Sequence, residues 1–157
     1  MHASSYREMG RFVAEHLRGQ RGLSVLDVGA RDVNGTYRPL FGNHHYVGGD
    51  IAPGANVDVV FPDPYRWEAG QFDVVISGQC MEHVEDLVAW VREVARSTRP
   101  GGMVCLISPW KFREHRWPID CWRILPDGMR WLFRIAQLSP IQVYANDIDT
   151  IGIAKKA

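Results

Sequence analysis

The feature that most constrains this chain is a succession of short, continuously apolar runs, each stopping at glycine, aspartate or proline. SVLDV (24–28) runs into Gly29, HYVGGD (45–50) ends on Asp50, FDVVIS (72–77) meets Gly78, and MVCLIS (103–108) meets Pro109. Runs without polar alternation suit strands covered on both faces, as in a parallel sheet. VDVVF (57–61) adds another strand, set off from 45–50 by the turn formers Pro53 and Gly54. In the tail, IQVYAND (141–147) and TIGIAKK (150–156) predict a hairpin turning around Asp147 to Asp149.

Helical periodicity fills the spaces between the runs. Met9, Phe12, Val13 and Leu17 share a face after Ser4 and Ser5, either of which can cap, and Gly19 and Gly22 end that helix. Val84, Leu87, Val88, Val91, Val94 and Ala95 mark a second helix ending near Arg99, with Pro100-Gly101-Gly102 as its stop. Pro126-Asp127-Gly128 opens a third, with Met129, Leu132, Phe133 and Ala136 inward. The expectation is an α/β fold: one domain over residues 1–157, a mostly parallel seven-stranded sheet with an antiparallel C-terminal hairpin at one edge, and helices on both faces.

Composition narrows the function classes. Eighteen Lys and Arg balance eighteen Asp and Glu, so the basic excess that phosphate neutralisation demands is absent and no nucleic acid is expected as partner. Cys80, Cys105 and Cys121 form neither a disulfide framework nor a zinc pattern. No apolar run approaches the ~18 residues that cross a bilayer. MHASSYREMGRF lacks a signal-peptide core, so no membrane association and a cytoplasmic location are expected.

In a parallel sheet of this kind the ligand sits beyond the carboxyl ends of the strands. The residues there are Asp27, Gly29 and Arg31, then Asp50 and Ile51, then Asp63, then Ser77, Gly78 and Gln79. Acids at three successive strand ends are costly unless they meet a cationic or donor-rich ligand. Taken singly, Asp27 or Asp50 can equally cap a turn or helix.

VLDVGARDVNG resembles the first motif of the class I S-adenosylmethionine-dependent methyltransferases, and FDVVISGQCMEHVED with RPGGMVCLISP resembles their fourth and fifth. EHRWPIDCWRILPDGM (114–129) is similar to a segment of the compact members linked to sugar and polysaccharide biosynthesis. The resemblance implies a Rossmann-like fold and S-adenosylmethionine as cofactor. It implies Asp27 and Gly29 at the methionine end, Asp50 on the ribose hydroxyls, Ile51 on adenine and Asp63 on its amine. Arg31 stands where the family carries a second glycine, which leaves Asp32, Asn34 and Gly35 as alternative loop contacts.

Transfer to a hydroxyl requires a base within hydrogen-bond reach. His83, His115 and Asp120 follow the fourth and fifth strands and are the candidates. A structural pairing of His115 and Asp120, with Arg123 as ionic partner, is the alternative. A metal on His83, His115 and Asp120 lacks a diagnostic spacing, so none is expected. At least two of Trp110, Trp117 and Trp122 are expected to pack on the core. An NAD-dependent oxidoreductase would carry GxGxxG after the first strand, and GARDVNG does not. The expected activity is O-methyl transfer to a small-molecule or sugar/glycan hydroxyl. The alternative is a non-catalytic cofactor-binding or interaction module completed by a partner chain, a homodimer included.

Overall fold

A computed structural model describes residues 3–67 and 70–157. In chain order the elements are α1 (Ala3–His16), β1 (Ser24–Val28), β2 (His45–Asp50), β3 (Val59–Val60), β4 (Phe72–Gly78), α2 (Leu87–Ser97), β5 (Thr98–Pro109), α3 (Pro126–Ile135), β6 (Leu138–Ala145) and β7 (Asp149–Lys156). The seven strands form one sheet ordered β3-β2-β1-β4-β5-β7-β6. β1 pairs in parallel with β2 on one side and β4 on the other, so the chain reverses direction across the sheet at β1 and β4. That reversal opens a crevice at their carboxyl ends.

Strand alternation sends side chains into two cores. Leu26, Val75, Val104 and Leu106 meet Val91 of α2 and Phe133 of α3. Val25, Ile76, Cys105 and Ile107 meet Met9 and Phe12 of α1. The fold is the expected one: a parallel centre, an antiparallel C-terminal pair and helices on both faces. β7, however, pairs antiparallel with β5 as well as β6, so it lies inside the sheet and β6 takes the edge.

Several local expectations are corrected. Ser4 and Ser5 lie inside α1 rather than capping it, and Ser5 is buried with its hydroxyl against that of Tyr37. Val84 precedes α2, whose first turn is capped by Asp86 Oδ1 accepting from the Ala89 amide at 2.9 Å. α2 stops at Ser97, because β5 already begins at Thr98 and carries Arg99 to Gly102 as a strand extension. β3 is only two residues long, Val59–Val60, since it pairs only with the end of β2. The β1–β2 connection, where no element is expected, holds a 3₁₀ turn (Arg38–Phe41).

Candidate active site

A cavity of about 630 Å³ occupies the crevice beyond β1, β2 and β4, a size usual for small-molecule sites. Asp27, Gly29, Arg31, Asp50, Ile51, Gly78 and Gln79 line it, joined by His83 and His115. Nine residues singled out in the sequence thus share one cavity.

The β1 and β2 ends are tightly organised. Asp27 is buried and its Oδ2 accepts the Tyr46 hydroxyl. Burial pushes its carboxyl up to about 7, with Tyr46 and Arg38 opposing the rise. Gly29 has φ +77°, and a Cβ there would lie 2.5 Å from Cys80 Sγ. A side chain at 29 therefore meets Cys80 before any ligand, a constraint the sequence did not reveal. The Arg31 amide donates to Asp50 Oδ2 at 3.1 Å, and the Ala52 amide donates to Oδ1 at 3.2 Å. Asp50 so joins the Arg31 loop to its own turn while its carboxylate stays on the cavity wall. Asn34 and Gly35 line the cavity beside Arg31, whereas Asp32 Oδ1 accepts the Gly35 amide at 2.7 Å and shapes the turn. Ile51 is 56% exposed, an apolar shelf at the rim. Two carboxylates beside such a shelf fit a ligand with a cationic end, ribose hydroxyls and a flat base.

Three expected site residues lie off the cavity. Asp63 Oδ1 accepts the Tyr65 amide at 2.8 Å and borders a separate, shallower depression. Ser77 is buried and its hydroxyl donates to the Val28 carbonyl at 2.7 Å, tying β4 to β1. Asp120 Oδ1 and Oδ2 accept from Arg123 Nη1 and Nη2 at 2.6 and 2.7 Å, and Oδ2 also accepts the His115 amide at 2.7 Å. The Arg123 guanidinium holds the Asp120 carboxyl well below the usual carboxylate range. A carboxylate so satisfied is a poor base; it positions His115 instead.

The histidine end is built from distant parts of the chain. After β4, a 3₁₀ turn (Met81–His83) places His83 on the cavity and Glu82 inside the protein. The Cys121 and Trp122 amides donate to the Glu82 carbonyl at 2.7 and 3.3 Å, and Trp122 Nε1 donates to the Val84 carbonyl at 2.6 Å. These bonds dock the segment after β5 onto the turn and bring His115 within 4.9 Å of His83, ring centre to ring centre. Burial lowers the His83 pKa and pushes the Glu82 carboxyl up to about 8. Glu82 escaped notice in the sequence, although its place beside His83 on a tight turn was the available signal.

The tryptophans depart from expectation. Trp117 and Trp122 are 59% and 40% exposed, so two of the three do not pack into the core. Backbone hydrogen bonds hold their segment down without burying the rings.

Residues 1–141 match the methyltransferase domain family, and the chain belongs to it. S-adenosylmethionine is accordingly its methyl donor. Among solved structures, the chain is similar to the 1,6-didemethyltoxoflavin N1-methyltransferase of Burkholderia thailandensis, crystallised with 1,6-didemethyltoxoflavin and S-adenosylhomocysteine. The TM-score is 0.79 at 16% identity, over 98% of this chain and 79% of that one. It is similar to the magnesium protoporphyrin IX methyltransferase of Synechocystis with bound S-adenosylmethionine, at TM-score 0.71 and 17% identity, over 98% and 79% of the two chains. It also resembles the [4+2]-cyclase SpnF at TM-score 0.71 and 16% identity, over 95% and 80%. One fold thus carries different reactions, and the acceptor must be argued from the site. Among the described residues no helix is long and apolar enough to cross a membrane.

Proposed function

We propose that the protein transfers a methyl group to a hydroxyl of a small molecule, a sugar or glycan precursor being the first class to try. The observation that carries this reading is that one cavity is lined both by Asp50 with Ile51 and by His83 with His115. In this reading Asp27 and Gly29 face the methionine end of the cofactor, Asp50 accepts from the ribose hydroxyls, and Ile51 covers the adenine. The cofactor supplies a methyl carbon already activated by a sulfonium. What remains for the chain is to align the acceptor, exclude water and receive one proton. Trp117, Pro118 and Ile119 provide an apolar wall against which a ring can lie, and the histidine cluster provides the proton-accepting pole.

Incubation with S-adenosylmethionine and a panel of nucleotide sugars and simple phenols, followed by mass detection of methylated product, tests the proposal. Methylation of an amine in a wider panel, with every hydroxyl left untouched, would overturn it.

A second reading has one observation in its favour. Trp117, Trp122, Leu125 and Trp131 stand exposed within a short stretch of chain, which suits a cofactor-binding module completed by a partner or by a second copy. Tight binding of S-adenosylhomocysteine with no turnover on any acceptor, together with a dimer by light scattering, would favour it.

A further inference from the structure

The cofactor reading leaves one buried group unused. Glu82 has no exposed surface, and neither carboxylate oxygen has a hydrogen-bond partner among the described residues. A carboxylate buried in this way is costly unless something compensates it. Two imidazoles face the same oxygen. His83 Nε2 and His115 Nε2 each lie 3.8 Å from Glu82 Oε1, and the three ligand atoms all fall within 4.8 Å of one another. These separations are too long for direct hydrogen bonds. The two 3.8 Å edges sit near the roughly 3.3–3.6 Å that separates neighbouring ligands around a tetrahedral cation bound at about 2.0–2.2 Å, and the edge between the two histidines must close from within 4.8 Å.

The orientation of both rings is fixed from outside the triangle. His83 Nδ1 lies 2.5 Å from the Ile119 carbonyl, and His115 Nδ1 lies 3.2 Å from the Arg113 carbonyl and 3.5 Å from Asp120 Oδ2. Carbonyls only accept, so each Nδ1 carries a hydrogen, which leaves Nε2, the nitrogen facing Glu82, as the one able to act as a ligand. Backbone or carboxylate support behind a histidine is the usual outer shell of a metal ligand. Asp120, neutralised by Arg123, belongs to that outer shell and not to the ligand set.

We propose that Glu82, His83 and His115 bind a divalent first-row transition cation, with an open coordination position toward the cavity that the two histidines line. Two imidazole nitrogens and one carboxylate suit zinc, iron or nickel better than magnesium or calcium. Three protein ligands leave a fourth position for an oxygen from the cavity. That this oxygen belongs to the methyl acceptor rests on the function proposed above; binding of the cation does not. With both imidazoles engaged as ligands, an acceptor hydroxyl held there gives its proton to water at the cavity mouth, and the cation, by making that loss easier, takes over the role of the histidines at the proton-accepting pole. Its freed electron pair forms the bond to the methyl carbon, and the carbon–sulfur pair returns to sulfur.

The test uses Co²⁺ alone as probe on metal-stripped full-length protein, followed by visible absorption. The parent should take up one equivalent, with the intense bands of a four- or five-coordinate site. Glu82→Gln and His115→Ala, each verified as folded by circular dichroism, should lose those bands. Asp120→Asn should weaken uptake by about 10- to 100-fold, as outer-shell changes do. Asp50→Ala should take up Co²⁺ like the parent. Should Glu82→Gln fail to fold, His115→Ala, on a segment outside the core, carries the test. No uptake by the parent, or unchanged uptake by His115→Ala, overturns the proposal. Calorimetry with S-adenosylhomocysteine separates the two readings. A parent that binds the nucleoside but takes up no Co²⁺ defeats the cation site alone, and a parent that takes up Co²⁺ but binds no nucleoside defeats the methyl-transfer reading alone.

Discussion

Asp27, Gly29 and Asp50 stand at the ends of β1 and β2, whereas His83 and His115 reach the same cavity from a 3₁₀ turn and from a segment without regular structure. The first wall is made by neighbouring strands in register, with Asp27 opposite Gly48 and Val28 opposite Gly49. The second is made by docking residues 119–122 onto the turn at 82–84, through the Ile119 carbonyl, the Cys121 and Trp122 amides and the Trp122 indole. A wall of strand ends inherits the rigidity of the sheet. A docked wall is only as precise as its few hydrogen bonds, and it is free to vary without loss of the fold. If the strand-end wall holds the cofactor as proposed, it should fail by unfolding or lost affinity, and the docked wall by lost turnover.

The largest effect expected is at Gly29. Valine there combines a left-handed backbone with a collision against Cys80, and should cost about 3–5 kcal/mol in chemical denaturation. Gly29→Ala with Cys80→Gly should recover much of that stability but not cofactor affinity. Recovery of both would show that no ligand approaches Gly29.

Asp120→Ala tests the docked wall. Losing the lock on His115 should lower turnover by about 100-fold, the scale of a misplaced reacting group, with cofactor affinity changed less than about twofold. If it unfolds the protein instead, the contrast between the walls collapses. Asp50→Ala should weaken S-adenosylhomocysteine binding by about 1.5–3 kcal/mol in calorimetry, the range for hydrogen bonds to a charged group. Unchanged affinity in a folded variant would remove Asp50 from the ribose.

The smallest effect is a pH dependence. The Asp27 carboxyl is raised to about 7 in the folded protein by burial, with Tyr46, Arg38 and Asp50 around it and the Tyr37 and Cys80 groups nearby. The unfolded chain gives up this proton near pH 4, so between about pH 4 and 7 the folded state holds more protons and loses stability as pH rises. Asp27→Asn should match the parent in melting temperature near pH 4 and exceed it increasingly toward pH 8. A constant difference would place the titration elsewhere.

The strand runs, the order of elements and most of the strand-end wall of the cavity were readable because they depend on residues close in sequence. Asp50 ends β2 and Ile51 follows it, and the local run that ends there also brings them to the crevice. Asp63 misled for the same reason: Phe61, Pro64 and Tyr65 around it do line the cavity, but its own carboxylate turns back to accept the Tyr65 amide. Glu82 was hidden by the opposite problem. Its burial depends on the segment some forty residues later folding back over it, and no periodicity encodes that contact. The exposed tryptophans follow suit, since bulk suggested burial while the docking hydrogen bonds made burial unnecessary.

The placement of β7 has a consequence for how the chain is made. Of the seven strands it leaves a ribosome after the other six, yet it lies between β5 and β6 and supplies Lys156, whose ammonium donates to the Ala95 and Thr98 carbonyls at the end of α2. Until it emerges, β5 has a bare edge and α3 lacks the floor on which Met129 and Phe133 rest at Gly152. A nascent chain stalled near residue 137 should thus present an unpaired strand edge and an open apolar face to holding chaperones. The native sheet is then closed only as translation passes the β6–β7 hairpin.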